Sequence, residues 1–133
     1  MRKQMKNIGL ALFMACISML SFAQADAEIS KIGNLIATGN ATELAEKFNE
    51  SLSVAILDNE ATYSKAQGQV VVQNFFADHS PQSFTLIHSG ESSEGSKFGT
   101  GTLSTLNGSF RVYFLIRSSN GSYLIHDIRF EED

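Results

Sequence analysis

The chain has 133 residues, 43% of them apolar and 18% charged, with a formal net charge of −4 and a single cysteine. That length suits one domain built around one core. Past the first six residues there is no basic cluster, which excludes a phosphate-neutralising nucleic-acid surface and a polybasic patch for anionic membranes.

The N-terminus carries Arg2, Lys3 and Lys6, then an uncharged run from Ile8 to Phe22 that ends in Ser21-Phe22-Ala23. This order of basic region, apolar region and small-x-small site predicts a secretory signal cut after Ala23. The run is short for a membrane span, which needs about 20 apolar residues. Residues 1–23 are therefore expected to be a signal peptide and residues 24–133 the exported domain, periplasmic or secreted. Cys16 lies inside the apolar run, so the exported domain would hold no disulfide and no thiolate metal site. The alternative is a lipid anchor on Cys16, which follows Ala15. Against it, the apolar stretch continues through Ile17, Met19, Leu20 and Phe22. Cleavage removes three basic residues and no acidic one, taking the formal charge from −4 to −7.

From Glu28 to Thr38, Ile29, Ile32, Leu35 and Ile36 recur at helical spacing and Gly39 supplies a stop. Asn40, three residues before Glu43, predicts the start of a short second helix that pairs Leu44 with Phe48. Ser51 to Leu57 reads as a strand, with Ala61 to Tyr63 able to pair back across Asp58-Asn59-Glu60. Ser64 can cap a third helix, Lys65 to Ala77, with Val71, Val72, Phe75 and Phe76 on its apolar stripe and Pro81 beyond its end.

The remainder reads as four strands, Ser83–Glu91, Lys97–Leu106, Ser109–Arg117 and Tyr123–Glu131, jointed at Glu94-Gly95, Asn107-Gly108 and Asn120-Gly121. Asn-Gly pairs favour type I′ hairpins because both central residues take positive φ. Tight turns there would set Leu103 opposite Val112, Gly101 opposite Phe114, Phe114 opposite Asp127 and Val112 opposite Arg129. A tight turn at Glu94-Gly95 would set Leu86 opposite Leu103 and His88 opposite Gly101. One face then gathers Phe84, Leu86, His88, Leu103, Phe110, Val112, Phe114, Ile116, Tyr123 and Ile125, with Gly99 and Gly101 leaving room beside the aromatics. That face is expected to meet the helices, the reverse assignment being the alternative because both faces carry enough apolar residues to serve. The other carries Phe98, Thr100, Thr102, Arg111, Tyr113, Leu115, Arg117, Leu124, His126, Ile128 and Phe130, too apolar to be simply solvated.

This α+β order, ααβ(β)αββββ, resembles the nuclear-transport-factor-two-like, cystatin-like cone fold, in which a curved antiparallel sheet wraps a long helix. More closely, Ile36-Ala37-Thr38-Gly39-Asn40-Ala41, Tyr63-Ser64-Lys65-Ala66-Gln67, Phe75-Phe76, Gly101-Thr102-Leu103 and Gly108 to Leu115 look like a family of short exported bacterial proteins of unknown function within that fold. The resemblance implies the fold. It implies no activity, since the superfamily holds isomerase-like and dehydratase-like enzymes beside domains without chemistry.

Candidate chemistry is sparse. In the expected register His88 and Asp127 share an apolar row, the best pair for acid/base work, yet two intervening strands separate them by about 14 Å. Tyr113, His126 and Thr102 would line a small polar site on the second face, and Phe114 a pocket inside the cone. Arg111, Arg117 and Arg129 are spread along strands rather than clustered. No phosphate loop, nucleophile elbow or His-x-x-x-His occurs, and His79, in Asp78-His79-Ser80-Pro81, reads as an exposed connection residue. The expectation is a non-catalytic ligand- or protein-binding module of the cell envelope. It would need no cofactor and no metal, take a small apolar ligand, and dimerise through the second sheet face. The alternative is a small isomerase- or dehydratase-like enzyme using His88 and Asp127.

Overall fold

The computed structural model describes residues 24–133, so the basic and apolar segment read as a signal lies outside the described residues. Helix α1 runs through residues 24–37 and α2 is Ala41–Glu46. Strands β1 (Phe48–Ile56) and β2 (Asn59–Ser64) lead into α3 (Lys65–Asp78). Then follow β3 (Pro81–Glu91), a short 3₁₀ turn (Ser93–Gly95), β4 (Ser96–Thr105), β5 (Gly108–Ser119) and β6 (Ser122–Glu132). The chain is thus a cone-type α+β fold in the order ααββαββββ.

The helix ends follow the sequence signals. Gly39 takes φ 66°, and the pair of bonds Gly39 N–H to Ile36 O and Asn40 N–H to Leu35 O closes α1 as a Schellman motif. The Asn40 side chain accepts from Glu43 N–H at 3.1 Å and Ser64 Oγ accepts from Gln67 N–H at 3.2 Å. One boundary differs: α2 stops at Glu46, and Phe48 opens β1 instead of pairing with Leu44 along a helix.

The strand order in the open, curved sheet is β2-β1-β6-β5-β4-β3, with β1 parallel to β6 and every other pair antiparallel. All helices supply one core with one sheet face. Ile29, Ile32 and Ile36 of α1 and Val72, Phe75 and Phe76 of α3 are buried with Leu103, Phe110, Val112, Phe114, Ile116, Ile125, Ile128 and Phe130. Phe75 lies 4.6 Å from Phe130 and 5.2 Å from Phe110 by ring centroids, and Phe76 lies 5.7 Å from Phe130. Phenylalanine therefore fills the cone. Gly68 lets α3 sit directly on Leu52 and Phe48, where a Cβ would come 3.1 Å from Leu52.

The register departs from the sequence expectation on three strand pairs. At the β4–β5 turn the central residues are Leu106 and Asn107, neither with positive φ, while Gly108 takes φ 131°. Leu103 consequently faces Phe110, and Gly101 faces Val112. A slip of two residues preserves the faces, so the inner set on these strands is the expected one. The cause is tertiary. Asn107 Nδ2 donates to Asp78 O at 3.0 Å and Thr105 Oγ1 donates to Gly108 O at 2.7 Å, so Asn107 is engaged with α3 instead of forming the I′ turn.

At the β5–β6 turn Asn120 (φ 52°) and Gly121 (φ 82°) do form the expected two-residue turn, and the ladder holds as far as Ile116 opposite Ile125. There a β-bulge inserts His126, so that Leu115 faces Asp127, Phe114 faces Ile128 and Val112 faces Phe130. A slip of one residue exchanges faces: Ile128 and Phe130 turn into the core and Asp127 turns out. The Glu94-Gly95 joint is no tight turn but a 3₁₀ loop with Glu94 at φ 58°, and an extra residue, Ile87, sits between Leu86 opposite Gly101 and His88 opposite Thr100. The expected row His88, Gly101, Phe114, Asp127 therefore does not exist. Two bulges move its two ionisable members to the outer face, away from Phe114.

Candidate functional site

On the outer face, successive ladder partners form two rows across the sheet. One runs Glu60, Ala55, Arg129, Tyr113, Thr100, His88, and the next Thr62, Ser53, Asp127, Leu115, Phe98, Gly90. Arg129 ties the rows together, its Nε donating to Asp127 Oδ1 at 3.2 Å and its Nη2 reaching Glu60 Oε1 at 2.9 Å. Burial raises the Asp127 pKa, opposed by the hydrogen bond and charge of Arg129, and Glu60 pushes it further up. Burial likewise raises Tyr113, with Asp127 adding to the shift and Arg129 opposing it. The carboxylate is thus already taken by a guanidinium that pins β6 to the β2 edge.

The sequence-derived candidates scatter. His88 is exposed with its ring 5.4 Å from Phe98, and β4 and β5 lie between it and Asp127. Tyr113 stacks on Phe98 at 6.0 Å, and Thr102 sits two residues beyond Thr100 on the same outer face. His126 occupies the bulge with Nε2 buried and without a hydrogen-bond partner. Burial lowers its pKa and the charge of Arg117 lowers it further, as expected where a second ring proton would find no acceptor. Phe114 is fully buried, its ring pressed on Gly99. Among the described residues no group of His, Cys, Asp and Glu could hold a metal ion, and no helix is long and apolar enough to cross a membrane.

The structure opens elsewhere, between the β1–β2 hairpin and the C-terminal half of α3. A groove of about 670 Å³ is walled on one side by Ile56, Leu57, Asp58, Asn59, Glu60, Ala61 and Tyr63 and on the other by Val71, Asn74, Phe75, Asp78 and His79. Its volume falls in the range of small-molecule sites. Leu57, at the hairpin tip, is held at φ 54° by its N–H bond to Phe130 O at 2.8 Å, a costly conformation for a bulky residue.

His79, read from sequence as an exposed connection residue, is half-buried in this groove. Its ring packs 4.9 Å from Phe75 and 4.7 Å from Phe110, and Nδ1 lies 3.1 Å from Asn107 Oδ1. Asn107 spends its amide N–H on Asp78 O, so its Oδ1 faces the imidazole and accepts from Nδ1–H. Nε2 is left as the ring's acceptor. The signal for His79 was its place four residues after Phe75, one helical turn on the same face. The pairing with Asn107, 28 residues away, had none.

Comparison with known proteins matches this architecture. A crystal structure of a DUF4783 family protein from Bacteroides uniformis is 29% identical, with a TM-score of 0.72 over 77% of this chain and 94% of that one. Another DUF4783 family protein, from Bacteroides fragilis, is 26% identical, with a TM-score of 0.72 over 77% of this chain and 95% of that one. An NTF2-like protein with a cystatin-like fold from Novosphingobium aromaticivorans shares the fold at 12% identity, with a TM-score of 0.63 over 90% of this chain and 87% of that one. Among curated proteins nothing matches. A family model described as a domain of unknown function, DUF4783, matches residues 29–131, and with that span the chain belongs to the DUF4783 family, on an NTF2-like fold.

Proposed function

We propose that this protein is an exported, non-catalytic binding module whose ligand occupies the groove between the β1–β2 hairpin and α3. The observation that carries this reading is where space is found. The cone interior is packed with Phe75, Phe76, Phe110, Phe114 and Phe130, whereas a groove of about 670 Å³ opens beside it. The engagement of Asp127 by Arg129, with two strands between it and His88, supports binding over proton transfer. Ala61 is exposed on β2 and lines the groove. An NMR fragment titration should move amides of residues 56–63 and 71–79, and Ala61→Trp, which fills the groove, should abolish those shifts. Fragments that map elsewhere, or that bind Ala61→Trp unchanged, would refute the assignment.

Export rests on the basic and apolar order of residues 1–23. Intact-mass measurement of the envelope fraction should find a chain beginning at Gln24. A full-length chain retained in the cytoplasm would rule it out.

Association rests on the outer sheet face, where Phe98, Tyr113, Leu115 and Leu124 are half-buried. A second copy covering this face gives a homodimer. Light scattering at high micromolar concentration should read a dimer that Leu115→Glu converts to monomer. A monomer throughout would count decisively against it.

A further inference from the structure

The groove's chemistry is one-sided. Of its three carboxylates, Glu60 is engaged by Arg129, whereas Asp58 and Asp78 carry no ion pair among the described residues, and neither Lys nor Arg lines the walls. The hydrogen bond to Asn107 uses the proton of His79 Nδ1 and leaves Nε2 to accept. Val71, Phe75 and Tyr63 line the same groove and supply its apolar and aromatic surface. The negative wall continues past Asp58 into a second depression of about 340 Å³ lined by Leu57, Asp58, Glu131 and Glu132. A concave surface of one sign concentrates the opposite ion.

We propose that the groove takes an organic ammonium ion with an apolar body, of the alkylamine or arylalkylamine class. The carboxylates of Asp58 and Asp78 and the Nε2 of His79 meet its N–H donors, and Val71, Phe75 and Tyr63 meet its hydrocarbon. An anionic ligand would find no Lys or Arg on the walls and would meet the charge of Asp58 and Asp78, which attracts a cation and gives a neutral ligand no comparable gain. This rests on the groove being the ligand site, and the charge balance selects what enters it.

Three near-isosteric probes separate the possibilities: phenethylamine, 2-phenylethanol and 3-phenylpropionate, titrated against the protein at low and high salt. Phenethylamine should move the amides of residues 56–63 and 71–79 with at least about tenfold higher affinity than the alcohol, and the propionate should not bind. The advantage should shrink as salt screens it. Asp58→Asn with Asp78→Asn should abolish it without changing the fold, and His79→Phe alone should reduce it by a smaller factor. Equal binding of amine and alcohol, or an amine affinity unmoved by the double asparagine variant, overturns the cation assignment while leaving the groove as a binding site. If neither these probes nor a fragment library perturbs the groove, both readings fall.

Discussion

Phe130→Ala should destabilise the domain by about 3 to 5 kcal/mol, the range for truncating a buried phenylalanine. Phe130 is fully buried, its ring 4.6 Å from Phe75 and 5.7 Å from Phe76, and it faces Val112 across the ladder. Domains hold only about 5 to 15 kcal/mol in all, so the loss is a large part of the whole. The number also reads out the bulge at His126. Without that extra residue Phe130 would stand on the outer face, as the uninterrupted register from Asn120-Gly121 predicts, and its truncation would cost under about 1 kcal/mol, as surface substitutions do. Urea unfolding monitored by circular dichroism measures the difference, and an unchanged m-value identifies it as lost stability.

The same residue marks the limit of what the chain's pattern discloses. Helices α1 and α3 were legible because apolar spacing and caps agree. Ile29, Ile32, Leu35 and Ile36 are all buried, and Gly39 ends α1 and Ser64 starts α3 as their chemistry dictates. Asn120-Gly121 was legible because a two-residue I′ turn is a local matter of positive φ. The bulges at Ile87 and His126 were not, since an extra residue in a strand has no compositional signature: it is selected by which side chains the core accepts. Ile125 and Ile128 are both buried, three residues apart, a spacing that a regular strand cannot provide. The sequence HisAspIleArgPhe reads equally well with either set inward, and burial of Ile128 and Phe130 against Phe75 and Phe76 decides it. The candidate pair His88 and Asp127 depended on unbroken ladders, and each lost its place at one bulge. The groove was illegible for another reason. It is assembled from the β1–β2 hairpin, the end of α3 and, through Asn107, the β4–β5 turn, three segments linked only by tertiary contact.

Gly101→Ala should be nearly as damaging, at about 3 kcal/mol, the upper end for forcing a methyl into a packed site. Gly99 and Gly101 alternate on the inner face of β4, but they are confined by different neighbours. A Cβ at Gly99 would come 2.6 Å from the Phe114 ring, and its three nearest neighbours are all atoms of that ring, a side chain that can be exchanged. A Cβ at Gly101 would overlap the backbone carbonyl oxygen of Thr85 as well as approach the Phe84 ring at 2.7 Å. Backbone of the paired strand cannot rotate away, so β3 would have to lift off β4 beside the Ile87 bulge. The contrast gives a double-mutant test. Gly99→Ala alone should cost about 1 to 3 kcal/mol, and Phe114→Leu should recover part of that cost through a coupling of about 1 kcal/mol. Phe84→Leu in the Gly101→Ala background should recover little, because the Thr85 oxygen remains. Equal recovery at both sites would mean that side-chain crowding alone sets the need for glycine, and that β3 does not depend on close backbone approach to β4.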